Sequence, residues 1–212
     1  NPYTKIVVII PGSGKDTRYA HHKLASSFLE NNIAVYRFDE RGVGKSQGNY
    51  TSAIDRLTDD ISYCIKHIKS LPVFKGKDVG ILGHSLGGMA SAVATNNSKN
   101  SSTEVDFLIQ IASPVKNFSN ASKYQITTLP QYKIKHKTKK EVVSLLDTLI
   151  TITNSNKSIS NIALRKKGIE AIKKKGFNLK DIKFWSYTHI SLFKQDYEAV
   201  YKQLQIPTIY II

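Results

Sequence analysis

A serine set between two glycines stands at residues 83–87, Gly83-His84-Ser85-Leu86-Gly87, and fits G-x-S-x-G. This spacing suits an exposed nucleophile. The serine sits on a sharp turn between a strand and a helix, and the glycines let the two elements approach each other closely around it. The pentapeptide alone recurs by chance, often as a glycine-rich turn with an incidental serine, so its surroundings must decide. Residues 79–82 read as a short apolar strand and residues 86–95 as a helix, which is the context the chemistry needs. Gly88, Ala90 and Ala92 extend the small-residue face of that helix and predict tight packing on a sheet. Acyl transfer to such a serine also needs backbone N–H donors for the developing oxyanion. One is expected from Leu86, the residue after the serine. The other is expected from the turn at 11–14, Pro11-Gly12-Ser13-Gly14, with Ser13 as the donor.

Several elements must place these groups. Residues 5–10 (KIVVII) form a continuous β-branched run, the mark of a strand buried on both faces. Leu24, Ala25, Phe28 and Leu29 then recur at helical spacing, and residues 33–38 read as a second strand. Ser52 and Asp55 match a capping box ahead of a helix carrying Ile54, Leu57, Ile61, Ile65 and Ile68. Residues 105–111 make a fourth strand. Strands alternating with helices through short connections predict an α/β fold, a mostly parallel sheet with helices on both faces. After Pro114 the alternation stops. Val142, Val143, Leu145, Leu146, Leu149 and Ile150 suggest one amphipathic helix, and Ile159, Ile162, Ile169 and Ile172 another. A helix at 197–204 and a strand at 206–212 then return to the sheet. The expected organisation is a core at 1–114, a helical lid insertion at 115–190 and core again at 191–212.

Composition narrows the function classes. With 212 residues, 41% of them apolar, the chain can bury a core of its own, and no apolar run reaches the length of a membrane-spanning helix. One cysteine, Cys64, leaves no internal disulfide framework and no thiolate zinc site, and it is expected to pack on the apolar stripe of its helix. The net charge is +15, and residues 116–183 alone hold sixteen Lys and Arg against four Asp and Glu. Such a segment can attract anions. Its basic residues lack the interleaved aromatics of a nucleic-acid-binding pattern, so no nucleic-acid partner is expected. Gly14-Lys15 and Gly44-Lys45-Ser46 both follow strands, but neither completes G-x-x-x-x-G-K-[ST], which excludes a P-loop.

PGSG at 11–14, FDERGVGKS at 38–46 and GHSLGG at 83–88, in this order and spacing, resemble the α/β-hydrolase family across nearly the whole chain. The resemblance implies a serine hydrolase acting through an acyl-enzyme on Ser85, with Leu86 and Ser13 forming the oxyanion hole. It makes Gly12, Gly83, His84 and Gly87 parts of the elbow, and Asp39 and Arg41 structural members of a loop over the sheet edge. The substrate implied is a small-molecule ester or other acyl compound. No metal and no organic cofactor is implied. Pro11 replaces the histidine that many esterases carry before the oxyanion glycine, and Thr17 separates Asp16 from Arg18 where the nearest subgroup has adjacent partners.

The family's order is serine, then acid, then histidine. The alternative acid position after the fourth strand reads Ala112-Ser113-Pro114-Val115 and has no carboxylate. His21, His22 and His67 precede the nucleophile, while His136 and His189 fall in the insertion. The catalytic acid and histidine are therefore expected beyond Ile212, and the natural protein is expected to be longer at both ends. Peptidase, amidase and acyl-transferase chemistry are the alternatives, as is a hydrolase scaffold that only binds. The apolar residues of the insertion, Trp185 among them, suggest an acyl pocket.

Overall fold

Five parallel strands joined by crossovers place the candidate site residues at or near the carboxyl ends of the strands. The computed structural model describes residues 3–99 and 101–211. The strands are β1 (Lys5–Ile10), β2 (Ile33–Tyr36), β3 (Asp78–His84), β4 (Phe107–Ile111) and β5 (Thr208–Ile211). They form one sheet in the order β2-β1-β3-β4-β5, parallel throughout, with Val7 opposite Val35 and Gly80, and Ile109 opposite Ile209. The predicted α/β sheet is thus observed. Ile212, the last residue of the strand expected at 206–212, lies outside the described residues, and so does Asn1 at the start of the core expected at 1–114.

Burial explains the strand order. β1 and β3 are central, and five of the residues in each are buried, as continuous β-branched and aliphatic runs require. On one face Val7, Ile9 and Leu82 pack with Ala25, Leu24 and Phe28 of helix α1 (His22–Glu30). Helices α2 (Ile54–Ser70) and α3 (Leu86–Asn97) pack on each other and on β1. The buried stripe of α2 is Ile54, Thr58, Ile61, Ile65 and Ile68, in steps of three and four. Cys64 flanks that stripe and is only partly buried, and burial pushes its thiol up to about 12. The capping box expected at Ser52 does not form. The chain stays extended through Ala53, so the helix begins at Ile54 with Ala53 as its N-cap, and Thr51 Oγ1 accepts the Ala53 N–H instead.

Residues Asn1–Val115 with Ala199–Ile212, and residues Lys116–Glu198, are two compact units. The second holds α4 (Phe118–Thr128), α5 (Lys139–Asn154), α6 (Asn161–Lys174) and α7 (Tyr187–Lys194), and α8 (Tyr197–Gln203) begins at its end. Thr138 and Glu141 form a reciprocal capping box at the start of α5. The unit has its own core, built from Leu145, Leu146, Leu149, Leu164, Ile172, Trp185 and Ile190. This corrects the place expected for Trp185 among the residues of an acyl pocket. The indole is 2% exposed, stacks on Phe193 at 6.3 Å between centroids, and donates from Nε1 to the Arg165 carbonyl. Residues that fill a core are not free to line a pocket. Among the described residues no helix is long and apolar enough to cross a membrane.

Gly168 on α6 makes that packing testable. A Cβ there would lie 2.2 Å from the Trp185 ring, far inside van der Waals contact. Gly168→Ala should destabilise the unit by about 1–3 kcal/mol, the usual cost of overpacking. Urea unfolding followed by the emission of Trp185, the only tryptophan, checks this. An unchanged midpoint would contradict the packing.

Candidate active site

Ser85 occupies the single residue between the end of β3 and the start of α3, at φ 51° and ψ −118°. A positive φ at a residue with a side chain costs on the order of 1–3 kcal/mol and persists only where its surroundings over-determine it. Here the Ser85 N–H donates to the Ile111 carbonyl of β4 at 2.9 Å, and its own carbonyl accepts from Gly88 N–H at 3.0 Å and Met89 N–H at 3.3 Å. The flanking glycines are sterically required. A Cβ on Gly83 would sit 2.4 Å from the Gly88 Cα, and one on Gly87 would sit 2.1 Å from the Pro11 carbonyl oxygen. The second distance also shows that the β1 end and the elbow helix are in contact.

Beneath the elbow, buried Gln110 of β4 donates from Nε2 to the Gly88 carbonyl at 3.1 Å and accepts from the Tyr201 hydroxyl at 3.4 Å. Tyr201 also shares a hydrogen bond with Ser113 at 3.3 Å, and burial pushes its phenol up to about 12. The position after β4 therefore carries a neutral network.

The turn after β1 runs beside the serine. A Cβ on Gly12 would lie 3.3 Å from the Ser85 Cβ and 3.0 Å from His84 Nδ1, so the structure brings Gly12, His84 and Ser85 together. Ser13 and Gly14 are exposed, and the Gly14 N–H donates to the Tyr50 hydroxyl at 3.0 Å. Leu86 is the first residue of α3, where the backbone N–H has no acceptor within the helix.

Asp39 and Arg41 lie behind this turn, each in an ion pair. Buried Asp39 accepts the Arg18 N–H at 2.8 Å, the Arg18 guanidinium at 2.7 Å and the Lys45 N–H at 2.9 Å. Gly44, at φ +55°, leaves the room this needs, since a Cβ there would lie 2.6 Å from the Asp39 carboxyl. Arg41 grips Asp60 of α2 through Nε and Nη2. Glu40, between them, accepts the Asp16 N–H at 2.7 Å, and its own N–H donates to the Asp16 carbonyl at 3.2 Å. The hydrogen bond from the Arg18 side chain, helped by the backbone donors, holds the Asp39 carboxyl well below its ordinary value. Burial, reinforced by the charges of Asp16 and Asp60, pushes Glu40 the other way, up to about 7.

Among the described residues no hydrogen bond joins the Ser85 hydroxyl to an imidazole. His21 Nε2 lies 3.5 Å from Asp16 Oδ2, and its ring meets His84 edge-on at 6.1 Å. His189 belongs to the second unit, where its Nδ1 shares a 2.7 Å hydrogen bond with Ser186, and burial lowers its pKa. Among the described residues no group of three or more His, Cys, Asp or Glu could hold a metal ion. The sequence reading did not single out Glu40, Tyr50, Asp60, Gln110 or Tyr201. Only Gln110 left a clear signal, as a polar residue inside an apolar strand.

The family described as serine aminopeptidase, S33, matches residues 1–211. A thiohydrolase of Arthrinium phaeospermum, apmlB, is 30% identical over 90 residues, which are 42% of this chain and 29% of that protein. An esterase of Pyrococcus furiosus superposes with a TM-score of 0.50 at 24% identity, over 61% of this chain and 48% of its own. A lipase-esterase related protein from Clostridium acetobutylicum also gives 0.50, at 14% identity over 98% of this chain and 74% of its own. At these identities the structural likenesses show the fold. The chain spans less than a third of the thiohydrolase and about half of the Pyrococcus esterase.

The two adjacent carboxylates should act on stability in opposite directions. Asp39, with its folded value lowered, contributes stability that is full above its ordinary 3.8 and is lost as pH falls below that. Glu40, raised from 4.5 to about 7, binds its proton more tightly in the folded state, so stability should fall as pH rises between those values and level off above them. In urea unfolding from pH 2 to 8, Glu40→Gln should flatten the descent between 4.5 and 7. Asp39→Asn should weaken the acid limb. A Glu40→Gln profile parallel to wild type would refute the assignment.

Proposed function

The chain belongs to the serine aminopeptidase, S33, family of α/β hydrolases, and on that premise we propose that it cleaves carboxylic esters of small molecules through an acyl-enzyme on Ser85. The observation that carries this reading is the strained Ser85, held at positive φ between strand and helix with Gly12 alongside. In the proposed reaction the Ser85 oxygen adds to the substrate carbonyl carbon, and its proton passes to a base. The carbonyl oxygen, now an anion, takes hydrogen bonds from the Leu86 and Ser13 N–H groups, each worth roughly 10²–10³ in kcat by analogy with other oxyanion donors. Collapse expels the alcohol, which takes up the proton, and water then releases the acid by the reverse path.

A serine hydroxyl is a weak nucleophile at neutral pH without an adjacent base. No histidine among the described residues makes a hydrogen bond to Ser85, so none of them is assigned as that base. The unit at Lys116–Glu198 is assigned the role of lid. The reaction as written needs no metal or organic cofactor. An amide or peptide bond is the second reading, favoured by the aminopeptidase in the family's description.

Intact mass before and after a fluorophosphonate probe tests the nucleophile. One adduct is expected on the wild-type protein and none on Ser85→Ala. Turnover of p-nitrophenyl esters set against aminoacyl p-nitroanilides separates the two bond classes, with the esters expected to be faster. No adduct on a protein that carries the triad's acid and histidine, with neither substrate turned over, would overturn the reading.

A further inference from the structure

The turn carrying the proposed oxyanion donor is fastened from a single neighbouring segment. Gly14 N–H is held by the Tyr50 hydroxyl, Asp16 N–H by the Glu40 carboxylate, and Arg18 N–H by Asp39. The three fastened residues alternate along the chain, and all three fasteners lie within residues 39–50. On the other side of Ser13, a Cβ on Gly12 would lie 3.3 Å from the Ser85 Cβ, so Gly12 stands beside the nucleophile. Ser13 is therefore bracketed by a glycine set beside the nucleophile on one side and a hydrogen-bonded residue on the other. Asp39 has a second task, because it also accepts from Lys45 and pairs with the Arg18 side chain. Glu40 and Tyr50 touch the turn more simply. Each accepts one of its backbone N–H groups.

We propose that Glu40 and Tyr50 are positioning residues for the oxyanion hole, fixing Ser13 N–H at the distance from Ser85 that the tetrahedral intermediate requires. This rests on the reading of Ser85 as nucleophile and Ser13 as donor. The physical ground is preorganisation. An oxyanion donor contributes only if it is in place before charge develops, and a displacement of about 1 Å can cost on the order of 10²-fold in rate. A turn made of Pro11-Gly12-Ser13-Gly14 has two glycines and little stiffness of its own, so its position must come from outside it. The bond to Glu40 suits the task. It is short, it is partly buried, and the returning bond from the Glu40 N–H to the Asp16 carbonyl fixes its direction. Neither side chain needs to touch substrate for this.

The test compares wild type with Glu40→Ala, Glu40→Gln and Tyr50→Phe in three measurements: the rate of fluorophosphonate labelling, kcat and KM for an ester, and amide hydrogen exchange of the peptide covering residues 11–18. Glu40→Ala and Tyr50→Phe should each slow labelling and lower kcat by roughly tenfold, a modest share of what loss of a donor costs. KM should stay within about twofold, because the donor is used in the transition state and not in substrate binding. Exchange across 11–18 should quicken. Glu40→Gln keeps an acceptor of the same size and should restore labelling to within about threefold of wild type. Tyr50→Phe removes one oxygen and keeps the test open if Glu40→Ala does not fold. Wild-type rates in Glu40→Ala and Tyr50→Phe would overturn the proposal, and so would a Glu40→Gln as slow as Glu40→Ala. A wild-type Ser85 that does not label at all would instead overturn the hydrolase reading and remove the proposal's basis.

Discussion

The turn at Ser85 is the constraint from which much of the first unit follows. A non-glycine residue at φ 51° is tolerated because its N–H and carbonyl are both engaged, the first by Ile111 of β4 and the second by the opening turn of α3. Those bonds form only if α3 starts immediately after β3 and lies hard against the ends of β1 and β4. That closeness excludes side chains at Gly83 and Gly87, where a Cβ would meet the Gly88 Cα or the Pro11 carbonyl. It also fixes what lies below. Gly88 has no room for a Cβ because Gln110 and Ser113 occupy the space, and Gln110 in return binds the Gly88 carbonyl. One strained residue thus dictates three glycines, the polar residue in β4 and the meeting of two strand ends.

The segment after β2 solves a different problem, that of holding a glycine-rich turn in place. It does so with two adjacent carboxylates in unlike surroundings. Asp39 faces a guanidinium and two backbone N–H donors, which favour its charge over the neutral form. Glu40 has one N–H donor, is buried, and has Asp16 and Asp60 for charged neighbours, so the same chemical group is driven toward protonation. Both side chains are almost fully buried, but at Asp39 the donors outweigh the cost of burial, while at Glu40 burial prevails.

How far this was legible in the sequence follows from the range of the forces involved. The β-branched run at Lys5–Ile10 and the three-and-four spacing of isoleucines in α2 are local patterns, and both elements appear where the residues put them. G-x-S-x-G was equally readable, because the steric demand on its glycines is imposed within a few residues. The fasteners were not. Glu40 meets Asp16 across 24 positions and Tyr50 meets Gly14 across 36, contacts that no local pattern encodes. The capping box at Ser52 was misplaced because the chain continues extended for one residue more than the motif allows. Trp185 was misread for a related reason. Its apolar surface says that it will be covered but not by what, and Gly168, 17 positions earlier, supplies the gap that takes it.

The second unit shows how a strongly basic segment can arise without its charges forming one designed site. Its apolar residues converge on a single interior around Trp185, while Arg165, Lys166, Lys167, Lys173 and Lys174 of α6 all lie exposed. On a helix that buries Leu164, Gly168 and Ile172, those cations occupy the remaining positions, as amphipathic spacing demands. Others are spent locally. Lys123 pairs with Asp147, Lys137 lies over the Phe177 ring at 4.5 Å, and Lys194 donates to the Ile159 carbonyl at 2.7 Å. The excess of charge is therefore distributed over helix faces and intramolecular contacts. Any attraction it exerts on an anionic substrate would be a long-range field effect, weakened by salt, whereas choice among substrates would have to come from groups that meet the substrate directly.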